Sequence, residues 1–210
     1  MIANLLVHDL LKINSAGVSD LCGAASFSSI PLKDFPFVVV RRSPQKDDLI
    51  PVGIRGMERH ERCAAWLDPK HIVARVTPEC IEPCPLLPDR PAFKAFLELK
   101  QQWRGTNLMW GPGGSLGFEL VSGCHVVREK SDLDLVVRAD LRLSPTCLRM
   151  LARLGDDLSC AVDVLVETLH GAFSPKEYMG TSARCLLRTI HGPRLVEDPW
   201  MPRTNLEQHV

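Results

Sequence analysis

Two aspartates at i and i+2, Asp132 and Asp134, follow a glycine-rich turn, Trp110-Gly111-Pro112-Gly113-Gly114-Ser115, with 16 residues between Ser115 and Asp132. Strand residues two apart share a face, so the two carboxylates can share a divalent cation. The glycines let backbone N–H groups approach phosphate oxygens, and Gly114 with the Ser115 hydroxyl is the candidate cradle. Arg128 and Lys130 stand just ahead of the aspartates, near enough in sequence to help neutralise phosphate. A third carboxylate, Asp163, interrupts the apolar run 160–166. A carboxylate inside a buried strand is costly unless paired or metal-bound, so Asp163 is the expected third member of the set, as metal ligand, proton acceptor or both. A salt bridge to a core arginine is the alternative. Taken singly, the turn and the aspartate pair each have a plain reading as a loop and a solvated strand end; together they point to metal-assisted chemistry on a polyphosphate.

The surrounding pattern supplies elements to hold these groups. Residues 108–110 read as a short strand entering the turn, and 116–121 as a helix whose positive end faces it, stopped by Ser122-Gly123. Strands are expected at 132–137 and 160–166, separated by a helix capped by Ser144-Pro145, carrying Leu148, Leu151 and Leu154 and closed by Gly155. Ser174-Pro175-Lys176-Glu177 has the form of a capping box. Phe93, Phe96, Leu99 and Trp103 form the apolar stripe of a helix over 91–103. Earlier, 35–40 and 50–54 predict a β-hairpin, and Cys63, Trp66 and Leu67 predict a helix over 57–67, with Arg55, Arg59 and Arg62 beside it for solvent or for a phosphate. Residues 5–11 form a short apolar segment with His8 and Asp9 expected toward solvent. Thr77-Pro78-Glu79 starts a helix of one turn, and the proline-punctuated stretch to Asp89 is the expected boundary between an N-terminal lobe, 1–88, and a catalytic domain, 89–210. The class is α+β: a mixed sheet flanked by helices, with a smaller N-terminal α/β lobe.

Bulk composition narrows the partners. The formal net charge is zero; residues 1–110 carry 14 Lys and Arg against 12 Asp and Glu, and residues 111–210 carry 11 against 13. Without concentrated positive charge, neither nucleic acid nor an anionic membrane surface is an expected partner. No window has the length of a membrane span and the start lacks a secretory pattern, which predicts a cytoplasmic protein. The eight cysteines are scattered among apolar neighbours, as reduced core thiols are. His60, Cys63, Cys80 and Cys84 have spacing compatible with zinc but lack a reinforcing tight pair, and a core role is preferred.

The order Gly-Ser turn, Ser131-Asp132-Leu133-Asp134, then a lone Asp163 on a later strand resembles the nucleotidyltransferase superfamily of the DNA polymerase β type. The wider wording is similar to the malonate decarboxylase holo-acyl carrier protein synthase family, the phosphoribosyl-dephospho-CoA transferases. It includes Gly117-Phe118-Glu119-Leu120, Asp163-Val164 with Glu167-Thr168, Gly171-Ala172-Phe173-Ser174 with Glu177-Tyr178, and Asp198-Pro199-Trp200. Looser echoes precede it, in Val52-Gly53-Ile54-Arg55-Gly56 and Val76-Thr77-Pro78-Glu79. The resemblance implies a nucleotidyltransferase-like fold and Mg2+ held by Asp132, Asp134 and Asp163, with Gly114, Ser115 and Lys130 toward phosphate. It also implies transfer of phosphoribosyl-dephospho-CoA from 2′-(5″-triphosphoribosyl)-3′-dephospho-CoA to a serine of the malonate decarboxylase acyl carrier protein subunit, which the N-terminal lobe would help to dock. The related enzyme that loads citrate lyase, another Mg-dependent nucleotidyltransferase, and a catalytically silent binding module of the same fold are the alternatives.

Overall fold

The computed structural model describes residues 4–22, 30–44, 46–56, 61–83, 87–156 and 158–202 of the chain. The first half builds a five-stranded antiparallel sheet from β1 (Leu10–Ile13), β2 (Phe37–Val40), β3 (Ile50–Arg55), β4 (Arg62–Leu67) and β5 (Ile72–Val76), in the order β4-β3-β2-β1-β5. Two helices, α1 (Ser15–Cys22) and α2 (Ile30–Asp34), fill the connection between β1 and β2. Alternation along the strands gives this sheet two apolar faces. Leu11, Ile13, Val38, Val40, Val52, Ile54, Ala65 and Leu67 pack with Val18, Leu21 and Leu32 on one side. On the other side Leu10 joins Ile81, Phe118, Cys124 and Val126, with Phe37, Val39 and Val76 against them, so the second face is covered by the other half of the chain.

That half carries a six-stranded sheet of order β11-β10-β9-β8-β7-β6, built from β6 (Met109–Pro112), β7 (Leu133–Arg138), β8 (Val162–Thr168), β9 (Gly171–Phe173), β10 (Cys185–Thr189) and β11 (Gly192–Val196). Its helices are α3 (Pro91–Gln102), α4 (Gly114–Ser122), α5 (Pro145–Ala152) and α6 (Pro175–Tyr178). Only β7 and β8 run parallel, joined by the crossover that contains α5; the other neighbours are antiparallel. Leu133, Leu135, Val137, Val164 and Val166 face the main core with Phe93, Phe96, Leu99, Trp103, Leu148 and Leu151. This bears out the α+β class and the expected helical stripe. By the same alternation, Asp134, Val136 and Arg138 of β7, with Asp163, Leu165 and Glu167 of β8, occupy the opposite face.

Most of the expected elements form. The hairpin is β2 and β3, Ser144 accepts a hydrogen bond from the Cys147 N–H at the start of α5, and Gly123 ends α4 with a left-handed φ of +76°. The stretch after Thr77 is a single 3-10 turn, Pro78–Cys80, whose Thr77 hydroxyl does not cap it. α6 starts where the capping box predicts, yet Ser174 makes no capping bond, and the Glu177 carboxylate accepts from Leu186 N–H instead.

Three expectations are corrected. The helix expected over 57–67 is strand β4 across Arg62–Leu67, paired in register with all of β3, while Met57 to His60 lie outside the described residues. The apolar positions satisfy a period of two as well as a helical one, and six residues of ladder with a neighbouring strand decide between them. Asp9 does not face solvent: it is fully buried and paired with Arg75 at 2.8 Å and Arg138 at 3.0 Å. Burial pushes its carboxyl up, against the opposing pull of the Leu6 N–H and the two arginines. Finally, Asp163 is exposed; the buried carboxylate of that strand is Glu167. Among the described residues no helix is long and apolar enough to cross a membrane.

Candidate active site

β6 delivers the chain to the glycine turn at the edge of the inter-sheet space. Gly113 N–H donates to the Asp134 carbonyl at 2.8 Å, which seats the turn on β7. Gly114 has φ of +52°, and a Cβ there would lie 1.6 Å from Asp134 Oδ2, so only glycine lets the backbone pass over the carboxylate in this conformation. α4 begins at once, with Gly113 as an N-cap that supplies no side-chain acceptor to its first-turn N–H groups. Those donors and the helix dipole favour an anion at this end. The Ser115 hydroxyl accepts a 2.7 Å hydrogen bond from Arg55, which reaches across from β3.

Parallel pairing sets Asp134 directly opposite Asp163. Both line a cavity of about 350 Å3, together with Gly113, Gly114, Arg55, Arg62, Arg188 and His8. Burial raises the Asp134 carboxyl, reinforced by the nearby charges of Asp163 and Asp132; Arg62 and Arg55 pull the other way. The sheet therefore concentrates negative charge that a cation or a ring of arginines can relieve. Asp132 precedes β7 and is exposed, outside the cavity lining, and Lys130 is exposed in the turn before it and also does not line the cavity. Among the described residues no three His, Cys, Asp or Glu side chains are already assembled as a metal cluster. This applies also to the zinc spacing, of which His60 and Cys84 fall outside the described residues.

Sequence reasoning left Arg55, Arg59 and Arg62 open between solvent and a phosphate, on a helix. Arg55 and Arg62 are instead register partners on β3 and β4, and both face the aspartates' cavity; Arg59 is outside the described residues. Arg188, on β10, lines the same cavity from the other sheet. Also missed was the group at the far end of the shared face. Glu167, buried, accepts from Arg42 and pairs with His8 Nε2 at 2.8 Å. Burial works to raise its carboxyl, but the His8 hydrogen bond and the Arg42 charge outweigh it and hold Glu167 below its usual value. His8 takes a left-handed φ of +74° to meet it. On β7, Arg138 ties Asp9, the Val7 carbonyl and Glu79 to the sheet. The sequence signals for these groups were charge inside apolar stretches and, for Glu167 and Glu79, a place in the family-like wording.

Comparison with known proteins gives a consistent picture. Residues 6–78 match the family model described as the phosphoribosyl-dephospho-CoA transferase MdcG N-terminal domain, and residues 80–199 match the one described as its C-terminal domain. Relatives named phosphoribosyl-dephospho-CoA transferase include one from Klebsiella pneumoniae (strain 342), 36% identical over 200 residues, covering 92% of this chain and 95% of the relative. One from Azotobacter vinelandii is 39% identical over 201 residues, covering 92% and 93%. A third, from Pseudomonas fluorescens (strain Pf0-1), is 36% identical over 166 residues, covering 79% and 81%. No solved structure matches.

Proposed function

The chain belongs to the phosphoribosyl-dephospho-CoA transferase MdcG family, and on that premise we propose that it is a Mg-dependent nucleotidyltransferase acting on a carrier protein. It moves the phosphoribosyl-dephospho-CoA group from 2′-(5″-triphosphoribosyl)-3′-dephospho-CoA to a serine of the malonate decarboxylase acyl carrier protein subunit and releases pyrophosphate. The observation that carries the reading is the pairing of Asp134 with Asp163 in a cavity that Arg55 and Arg62 face from the other sheet.

An all-oxygen donor set suits Mg2+, which commonly takes one or two carboxylates and completes its shell with substrate phosphates. Asp134 and Asp163 would hold it, with Asp132 joining them when the donor is bound, and the raised Asp134 carboxyl marks a repulsion that such a cation relieves. When bound, Mg2+ supplies charge neutralisation at the reacting phosphates. The chain's own groups do the rest. Arg55, Arg62, Ser115 and the first N–H groups of α4 take the leaving diphosphate portion, with Gly114 keeping the approach open. The serine oxygen forms its bond to the α-phosphorus as the bond to pyrophosphate breaks, and the serine proton passes to Asp163, which is exposed to the cavity. The carrier docks from the side of the N-terminal sheet, whose hairpin borders the site. We place the reaction in the cytoplasm, a reading supported by free thiols at Cys63, Cys80, Cys124, Cys147, Cys160 and Cys185.

Incubation with Mg2+, labelled donor and isolated carrier subunits tests this. Label should reach the malonate decarboxylase subunit; label on the citrate lyase subunit alone would overturn the acceptor assignment. Asp134→Asn should lower transfer by about 100-fold or more while folding normally, and wild-type turnover by that variant would overturn the metal assignment.

A further inference from the structure

Two turns at one end of the larger sheet are built alike. Thr168-Leu169-His170-Gly171 joins β8 to β9, and Thr189-Ile190-His191-Gly192 joins β10 to β11. In the first, the threonine Oγ1 donates to the glycine carbonyl at 2.9 Å and accepts from the histidine N–H at 3.1 Å. In the second the same bonds measure 2.7 and 3.2 Å. Both glycines have positive φ, +147° and +109°, and both histidines are exposed. A shared tetrapeptide pattern thus places the two histidines in the turns of adjacent hairpins.

The turns wall a second cavity of about 370 Å3, completed by Arg42 and Arg194 and by the apolar Leu187, Val196 and Pro202. Among the described residues no Asp or Glu lines it, and no carboxylate pairs with the side chain of Arg194, His170 or His191. Arg42 is shared with Glu167, which leaves Arg194 as the available fixed charge. A pocket with cationic and N–H-bearing walls and no acidic ones suits an anion of phosphate type. Its position relative to the candidate active site narrows the choice. Glu167 lies between the two cavities, bonded to His8 of the first and to Arg42 of the second. It stands four steps along β8 from Asp163, a span of about 13 Å.

A donor of the kind described above carries two polyphosphate chains: the triphosphate that reacts, and the diphosphate within its dephospho-CoA portion, set apart by two ribose rings. Resting on that reading of the function, we propose that the second cavity binds the dephospho-CoA diphosphate, with Arg194 as its principal charge and His170 and His191 as further donors. Donor recognition is then divided between two anion sites on either side of Glu167.

Titration calorimetry of the full chain with dephospho-CoA, which lacks the triphosphate, tests the assignment. Affinity should fall at least tenfold in Arg194→Glu and several-fold in Arg194→Ala and in the His170→Ala/His191→Ala pair. It should be unchanged in Asp134→Asn, and adenosine should bind all of these proteins alike. Equal dephospho-CoA affinity in Arg194→Glu and wild type, or no binding by the wild type, overturns the proposal. If carrier labelling fails while dephospho-CoA binding still tracks Arg194, the transfer reading falls and the cavity assignment stands. If labelling succeeds with an unaltered donor KM in Arg194→Glu, the cavity assignment alone falls.

Discussion

At Gly114 the backbone crosses the Asp134 carboxylate in a left-handed conformation, so the residue expected to approach phosphate also makes room for the aspartate beneath it. Gly114→Ala should destabilise the protein by about 3 kcal/mol, combining the left-handed backbone penalty with overpacking against Oδ2. In an Asp134→Ala background the clash with the carboxylate is removed and only the tight approach to Cβ, 3.0 Å, is left beside the backbone penalty, so the same substitution should cost only about 2 kcal/mol. Denaturant melts of the four proteins measure this, and strictly additive effects would show that the two residues do not meet. The sequence reveals the chemistry of this pair but not its packing, because spacing says which face a side chain takes and nothing of how near another backbone comes. Asp163 illustrates the same limit. Its partner across the strands is Asp134, but it is exposed, whereas an apolar run around it suggested burial. The run is apolar because its alternate residues, Val164 and Val166, line the core.

Among the elements, the β3–β4 pair brings charge from one sheet to the other. Arg55 and Arg62 are opposite each other at the end of the ladder, and Arg55 meets Ser115 at the start of α4. Each charge-assisted contact to phosphate is worth about 1.5 kcal/mol or more, so Arg55→Ala and Arg62→Ala should each reduce kcat/KM for the donor about tenfold, measured by initial-rate labelling of the carrier. Unaltered kinetics in both would remove the hairpin from the phosphate site. The hairpin strands β2 and β3 were legible because β-branched residues dominate them. β4 was not, since Cys63, Trp66 and Leu67 fit a helix as well, and the partner strand that settles the matter is a tertiary fact. α3 was legible along its length and α5 at its start, where a serine caps an apolar stripe; α5 ends at Ala152, so the expected Leu154 and the closing Gly155 lie beyond it.

At the scale of the whole molecule, the two sheets are locked by buried ion pairs as well as by the apolar contact of Leu10 with Phe118 and Ile81. His8 and Glu167 are 159 residues apart, and Arg138 is 129 residues from Asp9. Pairings at such separations leave no local trace, which is why this part of the architecture was illegible. The Glu167 carboxyl is held below its ordinary value of 4.5, so its contribution to stability is present in full above that pH and is lost as pH falls through the lower, folded-state value. Glu167→Gln should therefore cost about 3 kcal/mol at pH 7, and the wild-type and variant stabilities should converge as the pH is lowered below 4.5. Chemical denaturation across that range measures the gap; a gap independent of pH would mean that the ion pairs contribute nothing as ions.

The one parallel pair among the described residues, β7 with β8, also bears on how the molecule reaches this state. Antiparallel neighbours joined by tight hairpins, such as β8–β9 and β10–β11, can zip from their turns, whereas β7 and β8 meet only after the chain has closed the long crossover through α5. Asp134 and Asp163 arrive on opposite sides of that closure, so their mutual repulsion is absent from the unfolded chain and is first met when the two strands dock. The chemistry of the site thus opposes one of the slower steps of its own assembly, and a cation able to bridge the two carboxylates would act on the folding rate as well as on the reaction.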